Sequence, residues 1–172
     1  MTKSLARMAA ALSLGLGVAA PLAHAQTGGD LSGFVGRWQI DPALTRMGRG
    51  NITRSPTFSF VFKPKPAGLQ INVYAQYPQA APDRVSDIIP DQKPHVCDNP
   101  TACQTVGGVP SEQTYTYFEM DSHNLFRIFY TKGKVTEYTN YMLSSDGQIF
   151  TMITWAPEAP QNQNIQVFHR QP

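Results

Sequence analysis

Leu125-Phe126-Arg127-Ile128-Phe129-Tyr130-Thr131-Lys132-Gly133-Lys134-Val135-Thr136-Glu137-Tyr138-Thr139-Asn140-Tyr141-Met142-Leu143 is the stretch whose reading decides the fold. Two runs dense in β-branched and aromatic residues flank a Lys132-Gly133 break, and the glycine suits the positive φ of a tight hairpin turn. If Thr131 pairs with Lys134, then Tyr130 faces Val135, Ile128 faces Glu137 and Phe126 faces Thr139, because cross-strand partners share a face. That side is the more apolar and is expected inside. Leu125, Arg127 and Phe129, beside Asn140, Tyr138 and Thr136, form a mixed side that suits solvent. An even-length loop at Asp146-Gly147 then carries Phe150, Met152 and Thr154 to the side of Glu137 and Tyr141.

Runs of the same kind recur outward from this hairpin. Strands are predicted over 34–40, 57–62, 69–77, 113–120, 125–131, 134–143, 149–155 and 165–170, with 84–89 as a further short one. Turn chemistry separates them at Lys63 to Gly68, Asp121 to Asn124, Ser144 to Gly147 and Pro157 to Asn164. No stretch after the first 25 residues keeps a helical apolar period over ten residues, so the class is all-β. Eight or nine strands with short sequential connections close more naturally into an antiparallel up-and-down barrel than they stay open with bare edges; a two-sheet sandwich is the alternative. The proline-rich excursion from Pro78 to Pro100 belongs to the same domain, and long ordered loops often border a binding mouth.

Residues 1–25 read as a cleavable export signal: Lys3 and Arg7, an apolar run from Met8 to Ala20, then Ala23-His24-Ala25 as small-x-small cleavage residues. The run is short for a membrane anchor, so no stable membrane insertion is expected and the location is periplasmic or secreted. The leader holds two of the 14 basic residues and none of the 12 acids, so residues 26–172 carry 12 of each. Their net charge of zero gives no support to nucleic-acid binding. One domain over 26–172 is large enough to bury roughly 70% of its unfolded surface without a metal. Cys97 and Cys103, in an oxidising compartment, predict a disulfide that rigidifies a short loop. Charge is uneven: Arg46, Arg49, Arg54, Lys63 and Lys65 lie between Pro42 and Pro82 with no acid among them. Those basic residues are either a solvated face or a positive rim for an anionic ligand.

Gly36-Arg37-Trp38 on the first strand resembles the G-x-W of lipocalin-type (calycin) barrels, with Arg170 matching the late basic residue. The wider pattern adds Asp41-Pro42, Asp91-Gln92-Lys93-Pro94, Asp98-Asn99-Pro100, Ser144 to Gln148 and Val167-Phe168-His169-Arg170. It is similar to a group of small exported bacterial lipocalin-like proteins of unknown function. The resemblance implies a barrel whose floor is closed by the Trp with the basic residue over it, and a pocket that in this fold serves carriers, enzymes and inhibitors alike.

The hairpin register places one carboxylate, Glu137, among Phe126, Tyr130, Tyr141 and Met152. Desolvation disfavours a carboxylate's charged form, which suits a general acid, a general base or a hydrogen-bond anchor. Alternatively Glu137 is satisfied by an interior arginine such as Arg37 or Arg54, or a bulge shifts the register. No pair among His95, His123 and His169 has metal-ligand spacing, so neither metal nor cofactor is expected. The serine-hydrolase elbow, zincin, phosphate-loop and dinucleotide signatures are absent. The leading expectation is a binding protein for a small apolar or aromatic molecule, with Glu137, Tyr141, Tyr130, Phe126 and Met152 in the pocket and Arg54 or Arg49 at its entrance. A cofactor-free lyase, isomerase or hydrolase using Glu137 is the second, and a protein-binding or inhibitory module acting through the Pro78 to Pro110 loop the third. Oligomeric state is not legible.

Overall fold

The computed structural model describes residues 30–48, 54–96 and 112–172. A 3-10 turn at Leu31–Phe34 precedes ten strands. These are β1 (Gly36–Ile40), β2 (Ser59–Lys65), β3 (Gly68–Tyr74), β4 (Arg84–Ile88), β5 (His95–Val96), β6 (Gln113–Asp121), β7 (Asn124–Thr131), β8 (Lys134–Leu143), β9 (Ile149–Trp155) and β10 (Asn164–Gln171). They form one antiparallel sheet in the order β4-β3-β2-β1-β10-β9-β8-β7-β6-β5. Each strand but one step lies beside its sequence neighbour. The exception is β1 against β10, with Trp38 opposite Arg170, which joins the two ends of the described chain.

Rings from β2, β9 and β10 meet across the interior, Phe60 to Phe168 at 4.8 Å and Phe62 to Phe150 at 5.5 Å, so the sheet is curled on itself. The expected all-β antiparallel up-and-down barrel is the fold, as one curled sheet with ten strands among the described residues in place of eight or nine and with β4 and β5 as its two end strands. The added one, β5, is two residues long beside Pro94, too short for alternation to reveal it. β2 also runs on through Lys63-Pro64-Lys65, which reads as a turn by composition. β1 starts opposite Phe62, so Pro64 has no neighbour on that side, and a residue lacking an N–H is tolerated there.

The floor is the tightest part of the molecule. Trp38, fully buried, donates its indole N–H to the Phe34 carbonyl at 2.7 Å. The Arg170 guanidinium lies 4.3 Å above the Trp38 ring. It donates to the carbonyls of Gly147 and Val35, each at 2.7 Å, and of Gly33. Cation–π attraction and three carbonyl acceptors thus hold one cation over the barrel's end. Gly36 has φ +132°, and a Cβ there would come within 3.0 Å of Arg170 Nη1, which is the physical reason for the glycine two residues before the tryptophan.

The hairpin register departs from expectation at one residue. Thr131 opposite Lys134 and Tyr130 opposite Val135 are as predicted, but Phe129 then pairs with Glu137 and leaves Thr136 over. This β-bulge turns β7 over relative to β8. Leu125, Arg127 and Phe129 share the inner face with Tyr141, Thr139 and Glu137, whereas Phe126, Ile128 and Tyr130 look outward. The reading that put Phe126 and Tyr130 in the pocket is corrected accordingly. The second hairpin is as expected, with Tyr141 opposite Met152 and Thr139 opposite Thr154.

A candidate anion site in the barrel interior

β6, β7 and β8 carry polar side chains on their inner faces at the same height, because Tyr117, Arg127 and Thr139 are direct cross-strand partners. Arg127 donates to the Glu137 carboxylate and, at 2.9 Å, to Thr139 Oγ1. Thr139 donates in turn to Glu137 Oε1 at 3.2 Å. Tyr117 hydrogen-bonds both Arg127 and Tyr141. Burial alone would weaken the Arg127 cation, but Tyr141, Tyr117 and Glu137 outweigh it and hold the guanidinium pKa above its ordinary value. Burial pushes the Tyr141 hydroxyl well up, so it is a neutral donor. Arg127 and Glu137 nevertheless keep 22% and 38% of their side-chain surface accessible. Inward-facing groups with that much surface imply that water reaches the upper interior.

A second guanidinium completes the cluster. Arg84 stands on the inner face at the start of β4, opposite Val73. Burial lowers its pKa, and the like charge of Arg127 lowers it further, partly offset by Tyr141, Tyr117 and Glu137. Among the described residues Glu137 is thus the one carboxylate whose charge acts on both guanidiniums, and its Oε1 is already bonded to Arg127 and Thr139. Nearby inner positions hold more unspent polarity. Gln113 on β6 and Gln166 on β10 are buried, with both amide ends of the first and the oxygen of the second unpartnered. Arg127 Nε is likewise unpartnered.

The wall below and across from these groups is apolar: Phe60, Phe62, Leu69, Ile71, Val73, Ile88, Leu125 and Phe150. At the opposite end to the floor, Arg54, Ser55, Pro56, Phe58, Ala75, Gln76, Gln79 and Asp83 line a cavity of about 620 Å³. Arg54 lies 4.8 Å over the Phe58 ring with its Nε buried and unpartnered, and burial lowers its pKa. Asp83 is bonded elsewhere, accepting from the Ala75 N–H at 2.6 Å and Gln79 Nε2 at 2.8 Å.

Among the residues anticipated from sequence, Glu137, Tyr141 and Met152 face the interior and Arg54 lines the mouth cavity. Arg49, Cys97 and Cys103 lie outside the described residues. Glu137 is not alone: its partner is Arg127 rather than Arg37 or Arg54, and Arg37 sits over the Tyr77 ring instead. His95 does not reach Glu137; it bonds Asp91 at 2.8 Å and stacks on Tyr115. Arg127, Arg84 and Tyr117 were not anticipated as site residues; Thr139 was expected on the inner face, where it lies, but not as a partner of an arginine. Arg127 turns inward because of the bulge at Thr136, and Arg84 because it alternates with Ser86 and Ile88 on the short β4; neither leaves a clear mark in the sequence. Among the described residues no group of three His, Cys, Asp or Glu side chains could hold a metal ion. No described helix is long and apolar enough to cross a membrane.

No protein-family model matches the chain, and no curated protein sequence does. Solved structures do. The chain is similar to "As-p18, an extracellular fatty acid binding protein" with a TM-score of 0.50 and 12% identity, over 81% of this chain and 97% of that one. It is also similar to "REP1-NXSQ fatty acid transporter" with a TM-score of 0.48 and 11% identity, over 82% and 98%. The likeness to As-p18, at 12% identity, speaks for the fold alone.

Proposed function

We propose that this chain is an exported binding protein that holds a small, mainly apolar molecule carrying an anionic group inside its barrel. One observation carries the reading: Arg84 and Arg127 face a water-reached interior, and among the described residues one carboxylate, Glu137, acts on both while its Oε1 is engaged by Arg127 and Thr139. A buried cation short of a counter-charge is costly, and a carboxylate or similar group from a ligand removes the cost through charge-assisted bonds. Tyr141 and Tyr117 add neutral hydroxyls, while the rings and aliphatic chains toward the floor receive the apolar remainder. Arg54 at the mouth is the first cation an anion meets. Fatty acids, the ligands printed in the name of the similar As-p18, have this chemistry. The leader over 1–25 and the single domain over 26–172 supply the export. The Gly36-x-Trp38 and Arg170 pattern, which resembles that of exported bacterial lipocalin-like barrels, supports the same reading.

The acid–base reading of Glu137 is less favoured, because its Oε1 accepts from both Arg127 and Thr139 and the carboxylate is paired with the Arg127 cation. The test is a native mass spectrum of protein purified undenatured from its own host. A wild-type adduct whose mass belongs to an organic acid, and which is lost in Arg84→Gln, supports the proposal. An adduct retained unchanged in Arg84→Gln, or one of a neutral or cationic compound, contradicts it.

A further inference from the structure

The pairing of cations with an anion leaves one inner group without a role. Gln166 on β10 is the cross-strand partner of Met152, which in turn faces Tyr141, so its side chain stands on the inner wall in the row of Leu125, Tyr141 and Met152. It is 4% exposed, and its Oε1 is buried with no hydrogen-bond partner. The neighbours on its own face are apolar. Met152 offers no donor, and the next inner residue of β10 is the fully buried Phe168, opposite Ile40. An amide oxygen buried without a donor is costly, and a leucine or methionine would fill the same place without that cost. A glutamine there calls for a donor that this wall does not supply.

We infer that Gln166 is a specificity-determining residue of the interior site, and that the molecule held there carries a hydroxyl on its apolar part besides its anionic group. This rests on the anion reading above and narrows it from organic acids in general to hydroxylated ones. The fold sets where the hydroxyl falls. Arg127 lies in the row of Thr139, Thr154 and Asn164, three strands from Gln166, and Gln166 is one inner position nearer the floor. Three steps of about 4.8 Å put roughly 14 Å of wall between the two residues. A group that reaches Gln166 is therefore several carbons along the ligand from an anion held at Arg84 and Arg127. A hydroxyl suits the place better than a carbonyl or an ether, because it both donates and accepts and so satisfies an amide presented either way round. A second anionic group does not suit it, since Leu125, Tyr141 and Met152 place no cation in that row.

Calorimetric titration with a saturated long-chain fatty acid, and with its isomers bearing one hydroxyl at successive mid-chain carbons, tests this. At least one isomer is expected to bind about tenfold more tightly than the parent acid, because a buried polar group left unpaired discriminates against a ligand that lacks the hydroxyl. The gap should vanish in Gln166→Leu, which binds the parent acid at least as tightly as the wild type does. Gln166→Met, closer to glutamine in shape, gives the same reading should the leucine variant fold poorly. The inference is overturned if no isomer exceeds the parent acid in the wild type, or if the gap survives in either folded variant. It is also overturned if Gln166→Met weakens parent acid and isomers alike, the mark of a purely structural glutamine. The corresponding alcohols and diols separate the two readings. A hydroxyl gap with no preference for carboxylate removes the anion reading and keeps Gln166; a carboxylate preference with no hydroxyl gap does the reverse.

Discussion

In β1 to β4 the inner positions include Trp38, Ile40, Phe60, Phe62, Leu69, Ile71, Val73 and Ile88, with Arg84 and Ser86 as the polar exceptions on β4, and the outer ones include Arg37, Gln39, Lys63, Lys65, Gln70 and Asp87. In β6 to β9 the inner face is mixed and the outer one uncharged. Gln113, Tyr117, Arg127, Glu137, Thr139 and Thr154 look inward among Leu125, Phe129, Tyr141, Phe150 and Met152, and Phe118, Phe126, Ile128, Tyr138, Ile153 and Trp155 look outward. One half of the barrel is close to a conventional core wall, and the other sets charged and polar groups among the inner apolar ones and has an uncharged back. The hydrophobicity of a strand's face therefore reports burial only where the inside is dry; where water reaches the interior, polar side chains turn in.

The largest effect should come from the conventional half. Trp38→Ala removes the fully buried ring on which Phe34, Phe150 and Arg170 converge, and should cost about 3–5 kcal/mol. Thermal unfolding checks it. A loss below about 1 kcal/mol would show that the floor does not carry the core.

The inner face of the other half should respond differently. Arg127→Leu leaves Glu137 without its cation, which for a fully buried pair costs about 3–5 kcal/mol; with water reaching both groups, about 1–3 kcal/mol is expected. Arg127→Leu with Glu137→Leu should recover most of that stability while ligand affinity stays lost. Recovery of both would place the anion elsewhere. Smaller again is the back of the pocket wall, where Tyr138→Ala should cost under about 1 kcal/mol, far less than Phe62→Ala at about 3–5 kcal/mol. Equal costs would erase the contrast between the halves.

The last prediction is the mildest. Hydrogen bonds, chiefly from His169 to Asp41, from the Ala75 N–H to Asp83 and from the His123 N–H to Asp121, hold these carboxyls below their unfolded value of 3.8. A depressed folded pKa means stability that is complete above the unfolded value and is lost as pH falls through the folded one. Unfolding temperature should be flat toward neutral pH and decline below about pH 4. Asp41→Asn should shallow that decline. A decline that is the same in the variant would separate the Asp41–His169 contact from acid sensitivity.

Strand positions were legible because β-branched and aromatic runs alternate with turn chemistry, and the floor was legible through Gly36, Trp38 and Arg170. The inner face of β8 was legible too, since the turn at Gly147 fixes how Tyr141 and Met152 meet. What misled was the bulge at Thr136. Threonine is an ordinary strand residue, so nothing in its chemistry marks an extra position, and the apolar side of β7 argued for the wrong face. Arg84 was hidden differently, in a five-residue strand within a proline-rich stretch where alternation spans only three inner positions. Pairings that are distant in sequence, such as Arg84 with the β6 to β8 cluster, leave no local pattern.

The central claim is that the interior of the β6 to β8 wall, with Arg84 across from it, selects an anion. Calorimetric titration with a long-chain carboxylate and with the alcohol of equal chain length tests it most directly. The account predicts tighter binding of the carboxylate by at least about tenfold, or roughly 1.4 kcal/mol, with the gap collapsing in Arg84→Gln while alcohol binding is unchanged. Equal affinities in the wild type, or a gap that survives Arg84→Gln and Arg127→Leu together, would contradict it.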